Sequence, residues 1–207
     1  MNNAAEQAKP RKEEILDVAT RLFAEAGYEG TSMNDVAERV GMRKASLFYH
    51  FATKDSLYEA VLERLVASLQ VALEAIYVSS GTYEDRLDAV TETVVTVLAS
   101  HPYAARLLLR EAMDWGPVIR EGKLLDRILL VLEAGAAWLR AGQEQGVFVE
   151  GDPKQLVLSS MGLHFLPFAL GQLVERYMGK DVFDEAFVAA RLKALKTQVR
   201  DLHLKKK

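Results

Sequence analysis

Residues 31–58, TSMNDVAERVGMRKASLFYHFATKDSLY, limit what this chain can fold into more than any other stretch. Ser32 is an N-cap by type, since its hydroxyl can accept from a backbone N–H two or three residues on. Met33, Val36, Ala37 and Val40 follow at helical spacing and make one apolar face. Gly41 comes directly after them, where a helix commonly ends in a left-handed residue that glycine adopts at low cost. A second apolar set, Met42, Leu47 and Phe51, begins at once. So short a break forces two helices to cross steeply, the geometry of a helix-turn-helix. Ala37 suits that crossing because a small side chain permits close approach.

From Arg39 to Lys54 there are four basic residues, Arg39, Arg43, Lys44 and Lys54, and no acidic one. Arg43 and Lys44 stand at the start of the second helix, the end that enters the major groove when such a motif reads DNA. Ser46, Tyr49 and His50 add hydrogen-bonding groups on that helix or at its end. Two helices around a glycine also occur in proteins that never touch DNA, and four cations also make an ordinary solvated face. Spacing alone leaves both readings open.

Upstream stand Ile15, Ala19, Leu22, Phe23, Gly27 and Tyr28; then come Thr31, Ser32, Val36, Ala37, Gly41, Leu47 to Phe51, Lys54 and Leu57. In that order residues 12–58 resemble the N-terminal domain of the TetR/AcrR family of transcriptional regulators. The resemblance covers about the first quarter of the chain. It departs at two positions: Arg43 stands where the family often has Ser or Thr, and Phe48 where it usually has Tyr. Phe48 cannot donate to a phosphate, and the adjacent Tyr49 is the available substitute.

The resemblance implies an all-α protein. Residues 1–54 would form a three-helix DNA-binding domain with the helix-turn-helix. Residues 55–207 would form a helical bundle that binds a ligand and dimerises through its last two helices. It implies a palindromic double-stranded DNA operator, with the helix after Lys54 swinging when ligand binds; the apolar body, with Arg106 or Arg110 turned inward, points to a small apolar or acyl-like effector. Arg43 and Lys44 would contact bases or nearby phosphates, with Ser46 beside them. Thr31, Ser32, Tyr49, His50 and Lys54 would mainly hold phosphate and set register.

Composition agrees with a helical body. The chain has 207 residues, half of them hydrophobic, enough for a substantial core. It has five prolines and no cysteine, so disulfides, thiolate zinc sites and cysteine nucleophiles are excluded, in keeping with a cytoplasmic setting. No apolar run is long enough to span a bilayer, and the first residues lack the hydrophobic stretch of a signal peptide. Residues 1–54 hold eight basic and eight acidic side chains, so the net charge of −3 lies entirely in the remainder. Attraction to DNA must then come from a local patch.

Apolar periodicity predicts a first helix from near Arg11 to Ala26, after a polar tail in which Lys9, Arg11 and Lys12 form either a basic arm or a solvated end. Asp55 is the expected cap of a long helix reaching about Ser79. Further helices are expected from about Tyr83 to Ala99, from Pro102 to Asp114, and from Leu124 to Gln145. A single helix kinked by Pro167 should run from Pro153 to Met178, and a last one from Asp181 to Leu204. Val147-Phe148-Val149 reads as a short extended segment.

His50, His101, His164 and His203 are far apart in sequence, with no HExxH and no glycine-rich phosphate loop. The chain shows no acid pair or nucleophile motif, so neither an enzyme nor a cofactor is expected. A packed body rich in Met, Phe and Trp suits a mostly apolar ligand cavity. Its candidate walls are Tyr103, Leu107, Arg110, Met113, Trp115, Trp138, Met161, His164, Phe165 and Phe168. Arg106 or Arg110 turned inward would favour an anionic headgroup; turned outward, each is ordinary surface. Rival readings are a helical carrier or enzyme with a docking module, and a DNA-binding activator without a ligand.

Overall fold

The computed structural model describes residues 11–206 apart from Trp115 and Gly122. The basic arm at Lys9 and the wall position Trp115 therefore lie outside the described residues. The chain divides into two compact units, the first ending at Leu62 and the second beginning at Glu63.

The first unit contains α1 (Arg11–Ala26), α2 (Met33–Val40), α3 (Lys44–His50) and the opening turns of α4 (Lys54–Tyr77). Its core is the predicted stripe of Ile15, Ala19 and Phe23 against Val36, Ala37, Leu47, Leu57 and Tyr58, all buried. Ser32 caps α2 in a reciprocal box: its hydroxyl accepts from Asp35 N at 3.2 Å, and the Asp35 carboxylate accepts from Ser32 N at 2.9 Å. Gly41 ends α2 at φ 70°, which permits the abrupt turn into α3.

The cap of α4 differs from expectation. Thr53 Oγ1 accepts from Ser56 N at 3.0 Å, and Ser56 Oγ accepts from Thr53 N at 3.1 Å. Asp55 accepts instead from the Tyr28 hydroxyl. A Thr-x-x-Ser pair can satisfy two end N–H groups reciprocally, which leaves the carboxylate free for a tertiary bond. Arg11 and Lys12 also serve the fold, Arg11 by donating to Val40 O at 3.3 Å and Lys12 by lying 5.6 Å from the Phe51 ring centre.

The second unit holds the rest of α4 with α5 (Tyr83–Ser100), α6 (Ala104–Met113), α7 (Pro117–Glu121), α8 (Lys123–Glu144), α9 (Pro153–Ala169), α10 (Gly171–Met178) and α11 (Glu185–His203). One core joins Leu65, Leu69 and Leu73 to Val94, Val95, Leu98, Phe168, Phe187 and Leu195. A second gathers Leu87, Trp138, Leu139, Phe148 and Val199. Among the described residues no single helix is long and apolar enough to cross a membrane.

Three elements depart from the sequence pattern. His101, Pro102 and Tyr103 form a turn, and α6 begins only at Ala104. The short α7 was not expected. It is held by Glu111, a buried carboxylate whose Oε1 accepts from Val118 N at 2.9 Å and from Ile119 N at 3.3 Å. The expected kinked helix is two helices, α9 and α10, bent by 78°. Pro167 lacks the N–H that would serve Leu163 O. Arg191 of α11 fills that vacancy, donating to Leu163 O at 2.6 Å. The bend itself falls later, at Leu170 and Gly171, where a Cβ on Gly171 would lie 3.3 Å from Val182.

The segment after α8 is extended as expected and makes an isolated antiparallel bridge from Phe148 to Leu204. Val149 N donates to His203 O at 2.7 Å and Lys205 N donates to Val147 O at 3.0 Å. These bonds pin the end of α11.

Candidate DNA-reading face and effector cavity

In the first unit, α3 buries Leu47 and exposes the side chains on either side of it. Lys44, Ser46 and His50 are exposed, and Tyr49 is 88% exposed. Ser46 and His50 lie four residues apart and so share a face. Arg43 is exposed at the N-cap position, with no side-chain capping bond. A Ser or Thr there could cap the helix; an Arg cannot, and its guanidinium is left to solvent. The Lys44 ammonium lies 5.7 Å from the ring centre of Phe48, which is 38% exposed.

The other three candidates have partners within the fold. Thr31 is buried and its hydroxyl donates to Gly27 O at 2.9 Å. The Ser32 hydroxyl is engaged in the α2 capping box. Lys54 donates to Tyr28 O at 3.0 Å, with its ammonium 4.1 Å from the Tyr28 ring centre.

The second unit holds a cavity of about 350 Å³, open to the surface on one side, within the range of about 300–1,000 Å³ usual for small-molecule sites. Its walls come from α4, α5, α6, α8, α9 and α11, and no Asp, Glu, Lys or Arg lines it among the described residues. Trp138, Met161, His164 and Phe165, four of the expected wall residues, line it. Leu107 and Phe168 are buried in the surrounding core without lining it. Tyr103 is the N-cap residue of α6, Arg110 is half-buried off the wall, and Met113 is 75% exposed. On α6 the lining residues are Leu108, Leu109 and Ala112. The stripe through Tyr103, Leu107 and Arg110 lies on the opposite side of the helix, about 180° away at 3.6 residues per turn. Arg106 and Arg110 are both off the wall.

Sequence reasoning missed the polar part of the wall: Tyr77, Thr91, Ser160 and His203. Thr91 is satisfied locally, its hydroxyl donating to Leu87 O at 3.1 Å. Burial pushes the Tyr77 phenol up to about 12, so it stays protonated, and its ring stacks on Trp138 at 5.3 Å. His164 Nδ1 lies 2.7 Å from Ser160 O, and His203 Nε2 lies 2.6 Å from Ser160 Oγ. Burial, with His164 nearby, holds the His203 imidazole down to about 4. Burial also lowers His164; the Ser160 bond opposes this, and the charge of Arg191 adds to it. Both rings are therefore neutral near pH 7. Ser160 stands four residues before His164, a signal present in the sequence; His203 is brought there by the packing of α11 and by the Phe148–Leu204 bridge at its end.

A helix-turn-helix with an exposed basic recognition helix, in one chain with a helical unit holding an uncharged cavity, defines the class of helical DNA-binding regulators. Residues 15–61 match the family model for bacterial regulatory proteins of the tetR family, and residues 84–199 match the tetracyclin repressor-like C-terminal domain. The chain belongs to the TetR family of transcriptional regulators.

Among curated relatives, the HTH-type transcriptional regulator RutR of Escherichia coli (strain K12) is 28% identical over 185 residues, 86% of this chain and 82% of RutR. The IcaR protein of Staphylococcus aureus (strain Newman), a negative transcriptional regulator of the biofilm operon icaADBC, is 52% identical over 48 residues. That match covers 23% of this chain and 26% of IcaR. Among solved structures, AibR in complex with isovaleryl coenzyme A and operator DNA has the same fold, with a TM-score of 0.73. It is 17% identical, and the match covers 92% of this chain and 98% of AibR.

Proposed function

We propose that this chain is a homodimeric repressor that reads a palindromic DNA operator and releases it when a small, mostly apolar effector occupies the cavity. The observation that carries this reading is the pairing of an exposed basic α3 with an uncharged cavity of about 350 Å³. IcaR is a negative regulator, and AibR was solved with both a small molecule and operator DNA, which supports the same division of labour. Dimerisation would use α9 and α11. Leu158 is 47% exposed and Leu166 51%, and Ala190, Ala194 and Thr197 on α11 are also exposed. Such apolar surface calls for a cover. Two α3 helices on a two-fold axis require half-sites roughly 34 Å apart or a multiple. The effector acts by binding better to the state whose spacing does not fit DNA.

Residues 1–54 are assigned to DNA reading and the rest to effector binding and dimerisation. Arg43 and Lys44 are assigned to bases or adjacent phosphates; Ser46, Tyr49 and His50 flank them. Thr31 supports the reading face through its bond to Gly27 O, and Ser32 and Lys54 through their partners in the fold and through phosphate contact.

Selection of bound duplexes from a random DNA pool, followed by sequencing, tests the reading. A palindromic motif is expected, and no enriched motif at low salt with folded protein would refute it. Arg43→Ala should then relax the preference at one position per half-site, at about 1–3 kcal/mol of discrimination. An unchanged motif with a salt slope lower by about one would assign Arg43 to phosphate instead.

A further inference from the structure

We propose that the occupant of the cavity is an uncharged, mostly apolar molecule bearing a hydroxyl group, which donates a hydrogen bond to His164 Nε2. The inference rests on the effector reading of the cavity and adds the chemistry of the ligand's polar end.

His164 is 4% exposed on the cavity wall. Its Nδ1 lies 2.7 Å from the Ser160 carbonyl oxygen, which can only accept, so Nδ1 carries the ring proton. The Arg191 charge and burial both oppose a second proton. Nε2 is therefore a bare acceptor, and it has no hydrogen-bond partner among the described residues. Buried polar atoms are nearly always satisfied, so an orphan on a residue that lines the cavity points to a group that arrives with the ligand.

Two further orphans belong to residues of the same wall. His203 Nδ1 is unpartnered, its Nε2 being engaged by Ser160 Oγ, and Trp138 Nε1 is unpartnered as well. The indole N–H can only donate. A hydroxyl donates and accepts at once, so one such group can meet His164 and still accept from a donor on the wall. A ketone only accepts and leaves His164 unsatisfied. A carboxylate sets its lone pairs against that of Nε2, in a cavity with no cation to replace its hydration. At about 30 Å³ per water-sized atom, the volume suits about a dozen non-hydrogen atoms.

The test titrates the full-length protein with 1-octanol, 2-octanone and octanoate by calorimetry at pH 8. The octanol is expected to bind at least about tenfold more tightly than either analogue. His164→Phe, which keeps a ring and removes the acceptor, should abolish that preference. The wild-type imidazole ¹⁵N signal of His164 Nε2 should move upfield on octanol binding, a readout that needs no substitution. Equal affinity for all three, or a preference for the ketone or the carboxylate, overturns the hydroxyl assignment and leaves the effector cavity intact. Binding of none of them overturns both.

Discussion

Phe148→Ala is expected to destabilise the second unit by about 3–5 kcal/mol, the range for emptying a well-packed aromatic site. The Phe148 ring is fully buried and meets three aromatic neighbours: Trp138 at 5.1 Å, Tyr83 at 5.3 Å and His203 at 6.2 Å. It occupies the space a Cβ on Gly142 would take, so helix α8 itself is shaped to receive it. Its backbone also forms the bridge to Leu204 that pins the end of α11. With total stabilities of about 5–15 kcal/mol, such a loss takes a large share of what the unit has. Urea unfolding followed by tryptophan fluorescence measures it. A loss below about 1 kcal/mol would mean that this cluster is not what holds α11 to α8. Gly142→Ala should destabilise through the same contact, by about 1–3 kcal/mol, because the ring must move to admit a methyl group.

Acidification is expected to cost stability between pH 6.5 and about 4, by at most about 3 kcal/mol from His203. The sign follows from proton binding. The unfolded chain takes up a proton on His203 near its ordinary 6.5, whereas the folded chain resists protonation until about 4. Throughout that window the unfolded state binds more protons, so stability falls as pH falls. His164, also lowered by burial, acts in the same direction. Asp35 and Asp85 do not confuse the window. Their carboxylates are held below the ordinary 3.8 by bonds from Ser32 and Thr82, so they act only at lower pH. His203→Gln, whose amide can still reach Ser160, should flatten the dependence. An unchanged acid slope in that variant would reject His203 as the source.

The two units differ in how much of them can be read from residue order. In the first, the contacts that make the helix-turn-helix are local. Ser32 and Asp35 are three residues apart and Gly41 follows its helix directly; Met33, Val36, Ala37 and Val40 sit on one face by period alone. The exposure of Arg43, Lys44, Ser46, Tyr49 and His50 follows once Leu47 turns inward. What period could not reveal is which polar groups are already engaged. Thr31 and Lys54 have the chemistry of phosphate ligands, yet each serves the backbone of the turn at Gly27 and Tyr28.

In the second unit apolar surplus was legible and its arrangement was not. Trp138, Met161, His164 and Phe165 belong to the cavity as their composition suggested, but α6 presents the side opposite the expected one. A helix apolar on more than one side does not declare which stripe faces a void, because that depends on the rotation its neighbours impose. Pro167 announced a disturbance in α9. The answer to it, Arg191 on another helix, could not be read from residues near the proline.

The sequence by itself determined most of the helices, the cap of α2 and the helix-turn-helix, because those rest on spacings of three and four residues and on single glycines; it did not determine α7, the cap of α4 or the division of α9 from α10. Tertiary structure alone decided that Ser160, His164 and His203 share one wall. His203 is 43 residues from Ser160, and it arrives there because α11 packs on α5 and α9 and its end is pinned by the bridge from Phe148 to Leu204. A cavity is the space left between packed helices, and no local pattern encodes which side chains border a space that only packing creates.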